Sequence, residues 1–130
     1  MGTWGSGNFE DDTAADFIYM FTSDIIDEIS KIIDDKNAIE PDEYEGVALP
    51  CKIEILTMIT EKEWGSLCAY PSIEEVEEWK KKYLKVYDEY TISDVEYMDA
   101  NLKRRRIINN TFDNYKLAIK NIKTYKPKPL

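Results

Sequence analysis

Three glycines, a tryptophan and a phenylalanine crowd the first nine residues, Met1-Gly2-Thr3-Trp4-Gly5-Ser6-Gly7-Asn8-Phe9. Glycine supplies positive φ and lets backbones approach closely. Each aromatic carries a large apolar surface that needs a packing partner. The stretch therefore predicts an ordered loop, residues 1–11, pinned into the fold by Trp4 and Phe9. It launches a helix at once, because Asp11, Asp12 and Thr13 are all good N-cap residues and Thr13-x-x-Asp16 resembles a capping box. Asp12 is read as the cap of that first helix, and Asp16 as support for the loop through backbone N–H groups.

The rest of the chain has helical periodicity. Helix 1 is expected to run to about Asp35, with Phe17, Phe21, Ile25, Ile29 and Ile32 as its buried stripe and Ile18, Ile26 and Ile33 widening it. Val47 to Lys62 predicts helix 2, with Leu49, Ile53, Leu56 and Ile59 on one side. Pro50 either belongs to its first turn or kinks a helix that starts earlier. Ser72-Ile73-Glu74-Glu75 is a capping box opening helix 3, which carries Ile73, Val76, Trp79, Tyr83 and Tyr90 to about Glu89. Helix 4 starts at Thr91 or Ser93 and ends in Lys103-Arg104-Arg105-Arg106, charge that suits a helix C-terminus. Asn109-Asn110-Thr111 predicts a break, and helix 5 follows with Phe112, Tyr115, Ile119 and Ile122. The expectation is a single all-α domain over 1–130, a bundle of about five helices, with 126–130 as a frayed tail.

Composition narrows the chemistry. There is no histidine, which removes His-based acid–base catalysis, His-activated nucleophiles and most zinc sites. Cys51 and Cys68 match no metal spacing and read as free thiols. No catalytic residue, metal site or cofactor is expected. No apolar run reaches the ~18–20 residues that span a bilayer. The N-terminus lacks the basic start and apolar core of a signal peptide, so cytoplasmic residence is the expectation.

The charge is divided. Residues 1–78 hold 20 acidic and 4 basic side chains, whereas residues 79–130 hold 6 and 13. An acidic surface disfavours nucleic acid, because phosphate contacts need positive charge. The basic run at 103–106 and the lysines of 80–85 read as solvated helix faces. The acidic face predicted to meet a partner comprises Asp24, Asp27, Glu28, Asp34, Asp35, Glu40, Asp42, Glu43 and Glu45. It suits a basic protein, with electrostatic steering of the encounter. The leading functional expectation is a non-enzymatic protein-binding domain, an immunity protein that neutralises a toxin such as a basic nuclease.

The opening nine residues, followed by Asp11-Asp12 and Ala15-Asp16-Phe17, resemble the bacterial domain-of-unknown-function family 4259 and its Met-Gly-x-Trp-Gly-x-Gly-x-Phe signature. The resemblance implies a small helical cytoplasmic domain and no established activity. A second pattern, Glu74-Glu75-x-x-Glu78 then Glu96-x-x-Asp99, is similar to the MazG-like all-α nucleotide pyrophosphohydrolases. There the spacing implies carboxylates on facing helices that hold Mg²⁺ against a triphosphate. Met1-Gly2-x-x-x-Ser6 also matches a myristoylation pattern, which a structural loop explains better.

Overall fold

A computed structural model describes residues 2–126. The rest of the expected tail, 127–130, and Met1 of the myristoylation pattern lie outside the described residues. The described chain is all-helical, with four α-helices and one short 3-10 turn: α1 Asp12–Ile32, α2 Tyr44–Thr60, Gly65–Leu67, α3 Ile73–Thr91 and α4 Met98–Lys120. α4 packs on both α2 and α3, and α1 lies against α2 and the 3-10 turn. α3 and α4 run antiparallel, because Glu77 pairs with Lys116, Lys80 with Asp113 and Asp88 with Arg105.

The fifth helix does not separate from the fourth. Asn109-Asn110-Thr111 lies inside α4, where Asn109 Nδ2 donates to Asp113 one turn on and the Thr111 hydroxyl donates back to the Ile107 carbonyl. These polar side chains find partners within the helix. Ile108 and Phe112 on either side of them are fully buried, so tertiary burial overrides the local preference for a break.

Pro50 lies well inside α2, which starts three residues before the expected Val47. A proline there cannot donate to the carbonyl four residues back. That carbonyl belongs to Gly46, and the Tyr83 hydroxyl of α3 donates to it in a buried contact. Gly46 also admits a close approach: a Cβ there would lie 1.8 Å from the Glu40 carbonyl oxygen. Tyr83 thus supplies the bond that the helix cannot make for itself.

The core is built from Ile29, Leu49, Ile53, Leu56, Val76, Trp79, Tyr83, Ile108, Phe112 and Tyr115. The stripe of α1 is rotated from the expected one. Ile18, Thr22, Ile29 and Ile33 face inward, whereas Phe17 and Phe21 are exposed. The first half of α1 meets the 61–72 loop rather than a helix. Buried Thr22 serves that loop, its hydroxyl donating to the Ile18 carbonyl and accepting from the Ala69 N–H.

The N-terminal loop, described from Gly2, carries different assignments from those expected. Asp11 is the N-cap of α1 and accepts from the Thr13 N–H, while its second oxygen takes the Thr3 hydroxyl. Those bonds, first Thr3 and then Thr13, hold the Asp11 carboxyl below its ordinary range. Asp12, read as the cap, instead accepts the Trp4 indole N–H at 2.7 Å. Trp4 and Phe9 are half-buried, and Phe9 stacks on Trp64 with ring centroids 4.0 Å apart. Asp16 is exposed, and its side chain enters no hydrogen bond among the described residues. No described glycine has positive φ, so the loop uses glycine for space alone.

Candidate functional site

α2 carries apolar side chains on two opposite sides, with Glu45 and Lys52 between them. Its inner face fills the core, and its outer face carries Tyr44, Val47, Cys51, Ile55 and Met58, all exposed. Steps of three and four residues place them on one stripe, roughly 20 Å long at 1.5 Å per residue. Exposed apolar side chains gathered this way mark interaction surfaces in soluble proteins. On the neighbouring α1, the exposed rings of Phe17 and Phe21 lie 5.9 Å apart.

The carboxylates of the expected acidic face divide into two sets. Four of its carboxylates are engaged within the fold. Glu28 and Glu45 both pair with Lys52 across α1 and α2. Burial works to lower the Lys52 ammonium, but the hydrogen bonds it donates to Glu45 and Glu28 outweigh that and leave it raised. Asp34 pairs with Lys82 at 2.7 Å and raises that ammonium. Asp35 accepts from the Ala38 N–H. The second set is open. Asp24, Asp27, Glu40 and Glu43 enter no ion pair or side-chain hydrogen bond among the described residues. Asp42 stands near Tyr90 and its charge raises that hydroxyl.

The pyrophosphohydrolase-like carboxylates do not meet. Glu74, Glu75 and Glu78 lie at the start of α3. Glu96 and Asp99 lie beyond its other end, at the start of α4. The helix from Glu78 to Thr91 alone separates the two groups by ~20 Å. The Glu75 N–H donates to the capping Ser72 hydroxyl, and the Glu75 carboxylate receives the Ser30 hydroxyl at 3.5 Å. Among the described residues, no three or more Cys, Asp or Glu side chains gather as a metal site needs. The basic runs are partly committed to the fold, Arg105 to Asp88 and Lys80 to Glu77 and Asp113. The Gly2 carbonyl of the myristoylation pattern accepts from the Asp12 N–H.

A concavity elsewhere was not anticipated from the sequence. It opens between the C-terminal ends of α2 and α4 and has a volume of about 1540 Å³. Glu10, Thr60 and Ser66 line it, with Tyr125 from the segment after α4. Glu10 is buried, and its carbonyl accepts from both the Trp4 and Gly5 N–H groups. The glycine-rich loop is therefore wrapped around this glutamate.

No helix among the described residues is long and apolar enough to cross a membrane. Residues 2–116 match the family described as Domain of unknown function (DUF4259), and the chain belongs to that family. No curated protein and no solved structure matches it.

Proposed function

We propose that this DUF4259 member is a non-enzymatic protein-binding domain, an immunity protein that neutralises a basic toxin. The outer stripe of α2 carries the reading: five exposed apolar side chains on one helix face, in a domain whose Asp24, Asp27, Glu40 and Glu43 carboxylates enter no ion pair among the described residues. An exposed apolar stripe on an acidic domain suits a basic partner with an apolar patch of its own. A second copy of this chain is the poorer occupant, since each carries a net charge of −9 and would bring acid against acid. Nothing in the carboxylate geometry favours the Mg²⁺-dependent pyrophosphohydrolase alternative.

The test is growth rescue. The gene beside this one is expressed in a bacterial host with and without this protein. The reading expects the neighbour to be toxic, this protein to restore growth, and Ile55→Asp with Met58→Asp to abolish both rescue and co-purification. Those side chains are exposed, so the double variant keeps the fold, which circular dichroism checks. A harmless neighbour, or full rescue by the double variant, overturns it.

A further inference from the structure

Ile92, Val95, Tyr97, Met98 and Leu102 lie close together in sequence at the corner between α3 and α4, and each is more than half exposed. Single apolar residues on a surface are ordinary, but five gathered at one corner mark an interaction site. The corner is fastened to both helices. The Tyr87 hydroxyl of α3 donates to the Asn101 carbonyl of α4 at 3.0 Å, and Asn101 Nδ2 donates to the Asp94 carboxylate of the connection at 3.2 Å.

The charges at the corner reverse along the chain. Glu96 precedes α4 and Asp99 lies in its first turn, whereas Lys103 and Arg106 follow one to two turns on. All four are exposed, and none enters an ion pair among the described residues. The helix dipole accounts for Asp99 but not for the basic pair, because α4 continues through them to Lys120. Met98, Leu102 and Arg106 are four residues apart and share one stripe. Asp99 and Lys103, each one residue on, run beside it. The exposed face of early α4 is thus acidic at one end, basic at the other and apolar at Leu102 between them.

We propose that this corner is a contact between two copies of the chain, docked as an isologous dimer with early α4 antiparallel to early α4 and Leu102 beside the two-fold axis. A surface whose charge reverses about an apolar centre is its own complement when turned by two-fold symmetry. An axis at Leu102 sets residue 99 of one copy level with residue 105 of the other. Asp99 then stands within one turn of Lys103 and Arg106 of the second copy, and Met98 lies level with the aliphatic stem of Arg106. A parallel arrangement would set acid on acid. The net charge of −9 opposes self-association, but residues 92–107 hold 3 acidic and 4 basic side chains. This corner, unlike the α2 stripe, therefore meets its own copy without local repulsion. The contact uses no residue of that stripe and does not depend on the immunity reading.

The test is equilibrium sedimentation of the full chain over a concentration series, under reducing conditions so that exposed Cys51 forms no disulfide dimer. A reversible monomer–dimer equilibrium without larger species is expected, since an isologous contact closes on itself. Leu102→Asp should weaken the dimer at least about tenfold, because it sets two carboxylates against each other at the axis. Glu96→Lys with Asp99→Lys makes the patch basic throughout, and Lys103→Glu with Arg106→Glu makes it acidic. Each of these double variants alone should be monomeric at concentrations where the parent is dimeric. Their equimolar mixture should recover the dimer mass. The substituted side chains are exposed, and circular dichroism checks that each variant is folded. A parent that stays monomeric leaves the patch to a partner of other sequence and overturns the proposal. A mixture that associates no better than its components overturns it too, as does a dimer that Leu102→Asp leaves intact.

Discussion

Removal of the Tyr83 hydroxyl isolates one bond in the core. Pro50 leaves the Gly46 carbonyl without its helical donor, and Tyr83 fills that role from α3. Tyr83 is 2% exposed and Gly46 is buried, so water cannot replace the lost donor. Tyr83→Phe should therefore cost about 1–3 kcal/mol, the penalty for leaving a buried acceptor unpaired. The same core holds an internal control. Tyr115 is fully buried, and its hydroxyl has no hydrogen-bond partner among the described residues. Tyr115→Phe removes a polar group that gains nothing there, so it should be neutral or stabilising. Urea unfolding followed by circular dichroism measures both. A cycle with Pro50→Ala sharpens the test, because that substitution restores a backbone N–H facing the Gly46 carbonyl. In that background Tyr83→Phe should cost less than in the parent. An equal cost in both backgrounds, or an equal cost for the two tyrosines, refutes the reasoning.

Two further outcomes follow from titrating groups. Burial pushes the Cys68 thiol up to about 11, whereas Cys51 is exposed. The folded state thus favours the protonated thiol: its contribution is whole below the unfolded value near ~8.5 and is lost as pH rises toward the folded value. A thiol reagent at pH 8 should label Cys51 rapidly and Cys68 only on unfolding, and Cys68→Ala should flatten the alkaline fall in urea midpoint. Rapid labelling of both thiols in the native protein counts against the placement of Cys68. On the acid side, Lys116 and then Lys80 hold Glu77 low. Burial works to raise Asp113, but the same two lysines outweigh it. Carboxyls held low contribute stability above their unfolded values near ~4 and lose it as pH falls through the folded ones. The loss of urea midpoint from pH 6 to pH 3 should be smaller in Glu77→Gln, and an unchanged slope rules the network out as its source.

The class of the fold was readable from periodicity and capping. The Ser72 cap and the run through Val76, Trp79 and Tyr83 lie where their spacing places them. Failures came where a local signal met a tertiary one. Asn109-Asn110-Thr111 reads as a break because such side chains compete for backbone bonds, yet buried Ile108 and Phe112 hold the helix through it. Phe17 and Phe21 read as core because they are apolar at helical spacing, but Thr22 faces inward in their place. Periodicity identifies a helix face more readily than it identifies what covers that face. The nine acidic candidates show the same limit for charge, since Asp34 pairs with a lysine far away in sequence and Glu45 with one two turns along its own helix.

α2 explains why the surface that carries the functional proposal is hard to see in the sequence. Leu49, Ile53 and Leu56 account for its burial, and the remaining apolar residues pass as a widening of that face. Tyr44, Val47, Cys51, Ile55 and Met58 instead form a second stripe on the opposite side. A helix with apolar residues on opposite sides normally has both sides covered, and this one is covered on one side only. The open side ends at Met58, which also lines the cavity beneath the N-terminal loop. A partner that covers the full stripe therefore reaches the cavity mouth.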